Sequence, residues 1–233
     1  MIRIAFFVEG KTERIFIENF LDNYYTHPFF NVESQELRGG RAKKIIKSNY
    51  EDNNIKYSFL IFDVGGDGSV AGAILERSKK LIESYGYNHI LGIRDLYPNT
   101  REQLDLVYST FNEIFQNDSI LNDISLIIAV MEIEAWFLAD YPFFLKVDNR
   151  LTASKINENL SIDIENDDLE EYRQPAKIID KIYKIVGKRY KKRESDSYSI
   201  CSHIDFDELC LNQNKRNRIP SFDSLINKID EFE

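Results

Sequence analysis

The chain has 233 residues, of which 43% are hydrophobic, and this composition excludes a largely disordered protein. Two cysteines are too few for a disulfide framework, and they lack the four-ligand pattern of a structural zinc site. The formal net charge of −9 gives no general attraction to nucleic acid, so phosphate contacts require local clusters of basic residues.

The N-terminal segment and the hydropathy bear on where the protein resides. Met1–Gly10 runs directly into a strand-like pattern and lacks the apolar stretch of a signal peptide. No apolar run approaches the roughly 18 residues needed to span a membrane. We therefore expect a soluble, cytoplasmic protein with reduced thiols and no membrane partner.

The first quarter of the chain alternates apolar strands and amphipathic segments. Ile2–Val8 fits a buried strand, and Thr12 is placed to cap a helix that runs to about Asn23. Phe29–Leu37 predicts a second strand. The run of lysines in Arg41–Tyr50 is typical of a basic helix, and we predict one there.

The alternation continues beyond residue 56 with three more buried strands and three helices. In chain order, these predicted elements are strand Tyr57–Val64, helix Ser69–Tyr85, strand His89–Arg94, helix Leu104–Phe115, strand Ile124–Met131 and a helix within Glu132–Asp140. Repeated units of this length indicate parallel strands joined by right-handed crossovers. The predicted fold class is therefore α/β, with an open, mainly parallel sheet flanked by helices over residues 1–140.

The pattern changes after Pro142, where the strand signals stop. Thr152 is a candidate helix cap, and Gln174–Tyr190 reads as a basic helix. We expect residues 141–233 to form a mostly helical extension packed on the first domain. Trp136, just before this change, is expected to be a core residue.

Polar side chains follow several of the predicted strands directly. In open parallel sheets, residues just past the carboxyl ends of the strands line the ligand crevice. The acidic residues in such positions are Glu9, Asp63, Asp95 and Glu132.

Three of these positions lie within motifs that contain further polar groups. The motifs are Val8–Glu13, Ile93–Pro98 and Val130–Trp136, the last of which also contains Glu134. Gly10 permits a sharp turn and a close ligand approach after the first strand. If the sheet is as described, Glu9, Asp95 and at least one of the two later glutamates converge.

Converging carboxylates repel one another at neutral pH, and a hard divalent cation relieves the repulsion. Mg²⁺, or Mn²⁺ in its place, can activate water and stabilise charge on a phosphoryl group. The sequence therefore indicates a metal-dependent enzyme that cleaves phosphodiester bonds. The candidate catalytic and metal-binding residues are Glu9, Asp95, Glu132 and Glu134.

The Glu-Gly-x-Thr-Glu turn after the first strand resembles the glutamate motif of Toprim domains, as found in OLD-family nucleases. Together with Arg94–Pro98 and Glu132–Asp140, it is similar to a bacterial Toprim-like family. Genes of that family often lie beside ATPase genes in phage-defence contexts. The resemblance implies a Toprim-like sheet, nuclease activity, a partner ATPase and a role in phage defence.

The resemblance also assigns individual positions. Glu9 matches the Toprim glutamate, and Asp95 matches the first acid of an Asp-x-Asp motif, whose second acid is replaced by Tyr97. Tyrosine is a poor magnesium ligand, which leaves three alternatives. Glu132 or Glu134 substitutes for the missing acid, the site holds one metal, or activity is lost.

Basic residues supply candidate contacts to DNA or RNA. They are Lys11, Arg94, Lys188, Arg189, Lys191, Lys192 and Arg193. The last five surround Tyr190, whose ring could stack on a base. A merely solvated surface is the alternative interpretation of this run.

A rival hypothesis is a non-catalytic module that uses the same scaffold to bind nucleic acid or a partner protein in a regulatory role. Tyr97 in place of an acid favours this rival. The sequence is compatible with an oligomer and does not distinguish DNA from RNA.

Overall fold

The predicted strand–helix alternation is present in a computed structural model of the protein. The structure describes residues 1–25, 29–38, 41–48, 54–66, 70–115 and 124–232. Within these ranges the fold class is α/β, with a mainly parallel sheet, flanking helices and a helical C-terminal region, which confirms the predicted class.

Six strands form one sheet within the described residues. They are β1 (Ile2–Val8), β2 (Phe30–Arg38), β3 (Arg41–Ser48), β4 (Tyr57–Asp63), β5 (His89–Asp95) and β6 (Ile124–Ala129). Their order across the sheet is β3-β2-β4-β1-β5-β6, with β1 near the centre. Five of them run parallel, and β3 is antiparallel to β2 at one edge.

The helices follow the predicted positions before residue 140 and are short after it. Their bounds are α1 (Lys11–Tyr24), α2 (Val70–Tyr85), α3 (Leu104–Phe115), α4 (Glu134–Ala139), α5 (Phe143–Val147), α6 (Ala153–Leu160), α7 (Pro175–Ile185), α8 (Glu194–Cys201), α9 (Phe206–Leu211), α10 (Gln213–Arg216) and α11 (Pro220–Asp230). Single 3-10 turns lie at Arg101–Gln103 and Leu169–Glu171. The predicted helix over Gln174–Tyr190 is shorter than expected, because α7 ends at Ile185.

The prediction of a basic helix at Arg41–Tyr50 is wrong. Residues Arg41–Ser48 form β3, which pairs antiparallel with β2, and the predicted end at Tyr50 lies outside the described residues. The pairing aligns Arg38 with Arg41, and the two glycines between them in sequence are a hairpin signal. Cross-strand hydrogen bonds to β2 outweigh the local preference of the lysine run.

The two predicted helix caps have different outcomes. Thr12 is not a cap, because α1 begins one residue earlier and Gly10 occupies the N-cap position. Thr152 does cap α6, since its side chain accepts a hydrogen bond from the amide of Lys155 at 3.1 Å. That second prediction is confirmed.

One compact unit comprises residues 1–94, 102–128 and 232–233. Its core includes the fully buried strand residues Phe6 and Phe7, and the Phe7 ring stacks on Phe62 at 4.7 Å. Burying one such ring completely contributes roughly 1.5–3 kcal/mol. The central strands therefore anchor this unit.

Charged side chains are also buried in the first unit. The Arg14 guanidinium contacts a Glu18 oxygen at 2.8 Å and lies 4.0 Å from an oxygen of Asp63. The Ser34 hydroxyl donates to the same Glu18 oxygen at 2.6 Å. Because buried charges require partners, this network ties α1 to strands β2 and β4.

The second compact unit comprises residues 95–101 and 129–231. Its fully buried residues include Trp136, Phe137 and Phe143. Asp140, at the end of α4, pairs with Lys215 at 2.7 Å and accepts a hydrogen bond from the Asp205 amide at 2.8 Å. These contacts tie α10 and the start of α9 to the end of α4.

Among the residues that the structure describes, no helix combines the length and the apolar character needed to cross a lipid bilayer.

Candidate metal centre

Two acidic residues of the second unit, Asp95 and Glu132, lie at or just after the ends of strands. Asp95 is the last residue of β5, and Glu132 follows β6 after a two-residue extension. The amide of Tyr97 donates to the carbonyl of Met131 at 2.8 Å, so the two segments stay side by side beyond the strands. Met131 has a φ of 63°, a left-handed conformation that turns the chain sharply before Glu132.

Asp95, Glu132 and Glu134 form a carboxylate cluster. One oxygen from each of these side chains lies within 4.8 Å of the other two. The Glu134 side chain is completely buried, and the side chains of Asp95 and Glu132 are 13% and 12% exposed. Three acids at this spacing and burial need positive charge nearby.

The outer oxygens of the cluster are fixed by hydrogen bonds. The three bonds run from the Ile133 amide to Asp95 Oδ1 (2.9 Å), from the Ala176 amide to Glu132 Oε2 (3.0 Å) and from the Tyr190 hydroxyl to Glu134 Oε1 (2.8 Å). Ala176 lies in the first turn of α7, whose amides have no partner within the helix. These donors lock the orientation of the three carboxylates.

The inner oxygens, Asp95 Oδ2, Glu132 Oε1 and Glu134 Oε2, surround one cation. They lie 3.9, 3.2 and 3.0 Å, respectively, from the Lys192 ammonium nitrogen. The buried Glu134 Oε2 has this close ion contact but no hydrogen bond of good geometry. The cluster is thus built to hold positive charge at its centre, and Lys192 supplies it.

Burial and the positive charge of Lys192 shift the pKa of Glu134 in opposite directions. Burial raises the pKa of its carboxyl, and the charge of Glu132 raises it further, whereas Lys192 and the Tyr190 hydroxyl lower it. The pKa of Tyr190 is raised, first by burial and then by the Glu134 charge. Tyr190 therefore keeps its proton and acts as a hydrogen-bond donor to the cluster.

A buried polar network supports α4 within the second unit. The indole nitrogen of Trp136 donates to the Ser221 hydroxyl at 2.8 Å, and the ring lies 5.4 Å from Phe222. The Ser221 amide in turn donates to Glu170 at 2.8 Å. Trp136 is completely buried, which confirms its predicted place in the core.

Three predicted site residues lie in the first unit. Glu9 is half-buried after β1, and its carbonyl accepts a hydrogen bond from the Gly66 amide at 2.8 Å. Lys11 is 3.9 Å from Glu36, and Arg94 lines a cavity of about 330 Å³ with apolar walls from α2 and α3. Their roles in metal and nucleic-acid binding stay predictions.

The basic run of residues 188–193 is partly engaged within the protein. The Lys188 ammonium donates to the Val147 carbonyl at 2.6 Å, and Arg189 pairs with Asp180 at 2.8 Å. Lys191 and Arg193 have exposed side chains.

Tyr190, in the middle of this run, is only 3% exposed. The prediction that its ring stacks on a base is therefore wrong. Burial of the ring and its hydrogen bond to Glu134 give it a structural role at the cluster instead.

Sequence reasoning placed Lys192 among the nucleic-acid contacts and gave Tyr190 no part in the acidic site. Both residues lie in the non-helical segment between α7 and α8, and their side chains reach the same glutamate, Glu134. Their common target, more than 55 positions earlier in the chain, has no local signature.

Comparison with known proteins identifies the family of the chain. The model of a family described as "Domain of unknown function (DUF4276)" matches residues 8–230. No curated protein and no solved structure matches the chain.

Proposed function

The chain belongs to the DUF4276 family, and we propose that it is a Mg²⁺-dependent nuclease of Toprim type that cleaves phosphodiester bonds in DNA or RNA. The observation that carries the proposal is the carboxylate cluster, in which three fixed acids direct their inner oxygens at one point. Mn²⁺ is the alternative cation.

The donor set fits a hard divalent cation. All three side chains offer carboxylate oxygens, which Mg²⁺ prefers, and their mutual distances allow them to share one ion. The buried Glu134 Oε2 atom already contacts a cation, the Lys192 ammonium at 3.0 Å, which suits a ligand atom. Asp95, Glu132 and Glu134 would hold the ion, which would activate water and stabilise charge on the transferred phosphoryl group.

The surrounding residues have supporting roles in this proposal. The Ile133 and Ala176 amides and the Tyr190 hydroxyl hold the outer oxygens, so the inner oxygens cannot rotate away. Glu9 stays proposed as an acid/base group or further ligand, as the Toprim resemblance implies.

Tyr97 stands where the Toprim pattern has its second acid. Its hydroxyl accepts a hydrogen bond from Gln174 at 3.3 Å, and its side chain is partly exposed. Glu132 and Glu134 bring two acids to Asp95 from the neighbouring segment. Among the three alternatives, this geometry favours substitution of the missing acid by these glutamates.

Nucleic acid would be held by exposed basic residues. Lys191 and Arg193 are the strongest candidates in the basic run, because Lys188 and Arg189 already have partners within the protein. Lys11 and Arg94 complete the proposed contacts. By the resemblance, we also propose a cytoplasmic protein that acts with a partner ATPase in phage defence.

The test is a cleavage assay on DNA and RNA with Mg²⁺, with Mn²⁺ and with EDTA. We expect cleavage only with a cation, and a loss of about 100-fold or more in Asp95→Asn and Glu132→Gln. Glu158→Gln, an exposed acid on α6, is the matched control. Equal activity in wild type, Asp95→Asn and Glu9→Gln would refute the proposal.

A second candidate is a non-catalytic, regulatory module that binds nucleic acid or a partner protein. It is favoured by Lys192, whose ammonium already offsets part of the cluster's charge without any metal. Calorimetry distinguishes the two candidates. Tight binding to nucleic acid or to the ATPase without any binding of Mg²⁺ supports the module.

A further inference from the structure

The ammonium group of Lys192 occupies the point at which the three inner oxygens converge. Two different cations cannot share that point, because their charges repel and the same oxygens would serve both. We infer that a divalent cation enters this site by exchange, displacing Lys192 from the carboxylate cluster. The inference rests on the proposed metal site and adds the regulation of that site by the chain's own side chain.

Charge favours the exchange. The cluster carries up to three negative charges, and the single ammonium of Lys192 balances only one of them. A divalent cation supplies twice the positive charge of lysine at the same position. Its direct bonds would also satisfy Glu134 Oε2, with which the ammonium makes no hydrogen bond of good geometry.

The lysine is the member of the group that can move. Its side chain is 36% exposed, compared with 13% or less for each carboxylate. It has a long flexible stem and lies in a non-helical segment between α7 and α8. The carboxylates, by contrast, are held through their outer oxygens.

Side-chain contacts also stabilise the backbone conformation around Lys192. Lys192 has a φ of 51°, a left-handed conformation that is unfavourable for a lysine. Asp196 accepts hydrogen bonds from the amides on either side, those of Lys191 (2.9 Å) and Arg193 (3.3 Å). The backbone turn that places Lys192 at the cluster is thus fixed by Asp196. Only the Lys192 side chain has to rotate away from the carboxylates for the exchange.

The first test measures Mg²⁺ affinity by calorimetry in wild type, in Lys192→Met and in Lys191→Met. Methionine keeps the apolar stem and removes the charge, and Lys191 is an exposed neighbour. We expect Lys192→Met to bind Mg²⁺ about tenfold more tightly or better, and Lys191→Met to match wild type. Circular dichroism checks that each variant is folded.

The second test needs no variant. Wild-type protein is acetylated with a water-soluble ester with and without Mg²⁺, and each lysine is quantified by mass spectrometry. Exchange predicts that Mg²⁺ increases the labelling of Lys192 and leaves that of Lys191 unchanged. Unchanged or reduced labelling of Lys192 in protein that binds Mg²⁺ contradicts exchange.

The outcomes separate this inference from the function on which it rests. If wild type binds Mg²⁺ and Lys192→Met binds it no more tightly, exchange is wrong and the metal site stands. If no variant binds Mg²⁺, both are wrong. If exchange is observed but no nucleic acid is cleaved, the inference stands and the nuclease proposal falls.

Discussion

Glu170 gives a prediction that can be worked through quantitatively. It is 1% exposed, and its carboxylate accepts hydrogen bonds from the amide and the hydroxyl of Ser221, at the start of α11. Burial raises the pKa of Glu170 from 4.5 to about 7, although the Ser221 hydrogen bonds oppose the rise. The perturbation is Glu170→Gln, which keeps the shape of the side chain and cannot ionise.

The magnitude follows from linkage between protonation and folding. Each pKa unit corresponds to about 1.4 kcal/mol, so ionising Glu170 in the folded state costs about 3 kcal/mol relative to the unfolded chain. Because the folded-state pKa of Glu170 is higher than its unfolded-state pKa, protonated Glu170 contributes its full stabilisation below pH 4.5. This stabilisation is lost as the pH rises to about 7, and the free energy of unfolding then changes little with pH on account of Glu170.

The assay is urea unfolding of wild type and Glu170→Gln between pH 4.5 and 8.5. The two proteins should have similar free energies of unfolding near pH 4.5, and the variant should be more stable by about 3 kcal/mol at pH 8. Glu171→Gln, a neighbouring acid whose side chain is 67% exposed, is the control. A difference between wild type and Glu170→Gln that does not change with pH would refute the reasoning.

Substitutions at three residues of the second unit test two of its buried contacts and its basic run. Tyr190→Phe should lower the free energy of unfolding by about 1–2 kcal/mol, because Glu134 loses a buried hydrogen-bond donor; urea unfolding measures this. Asp140→Ala should lower it by about 3 kcal/mol, since it leaves Lys215 largely buried without this partner; the same assay applies. If Arg193 contacts a phosphate, Arg193→Gln should weaken nucleic-acid binding and reduce the slope of log affinity against log salt by about 1, as measured by fluorescence anisotropy.

Each of these predictions has a matched control. Tyr198→Phe and Asp207→Ala change exposed residues of the same types, and both should leave stability nearly unchanged. Arg189→Gln is the control for Arg193→Gln, because the Arg189 guanidinium already pairs with Asp180 within the protein. It shows whether the loss of any arginine in the run weakens nucleic-acid binding. The roles given to Tyr190, Asp140 and Arg193 would be contradicted if the control variants lost as much stability or binding as the test variants.

The parallel core of the sheet could be predicted from local sequence. Strands β1, β4, β5 and β6 are largely apolar, as expected for strands buried on both faces, whereas β2 is mostly polar. The predicted ranges of β1 and α3, Ile2–Val8 and Leu104–Phe115, match the structure residue for residue.

Strand β3 could not be recognised from its own residues. It has as many lysines as apolar residues, and the two isoleucines are adjacent, so the alternation of an exposed strand is missing. What makes it a strand is its pairing with β2, a contact with another segment. The Gly-Gly pair after Arg38 was the local clue, since such pairs favour hairpins.

The acids of the cluster were predictable because strand topology positions them. Asp95 ends one buried strand and Glu132 lies shortly after another, and parallel strands present their carboxyl ends at one edge of the sheet. The contribution of Lys192 depends instead on how the helical region folds back within the second unit. No spacing rule connects that position to residue 132, so only the three-dimensional structure reveals it.

The hydrogen bond between the Tyr97 amide and the Met131 carbonyl has a consequence for evolution. It holds the two segments side by side, so side chains from both can reach the same point, as Asp95 and Glu132 do. A carboxylate on either segment can therefore supply the same point in space. Distant homologues are better sought by superposing such positions in space than by matching linear motifs.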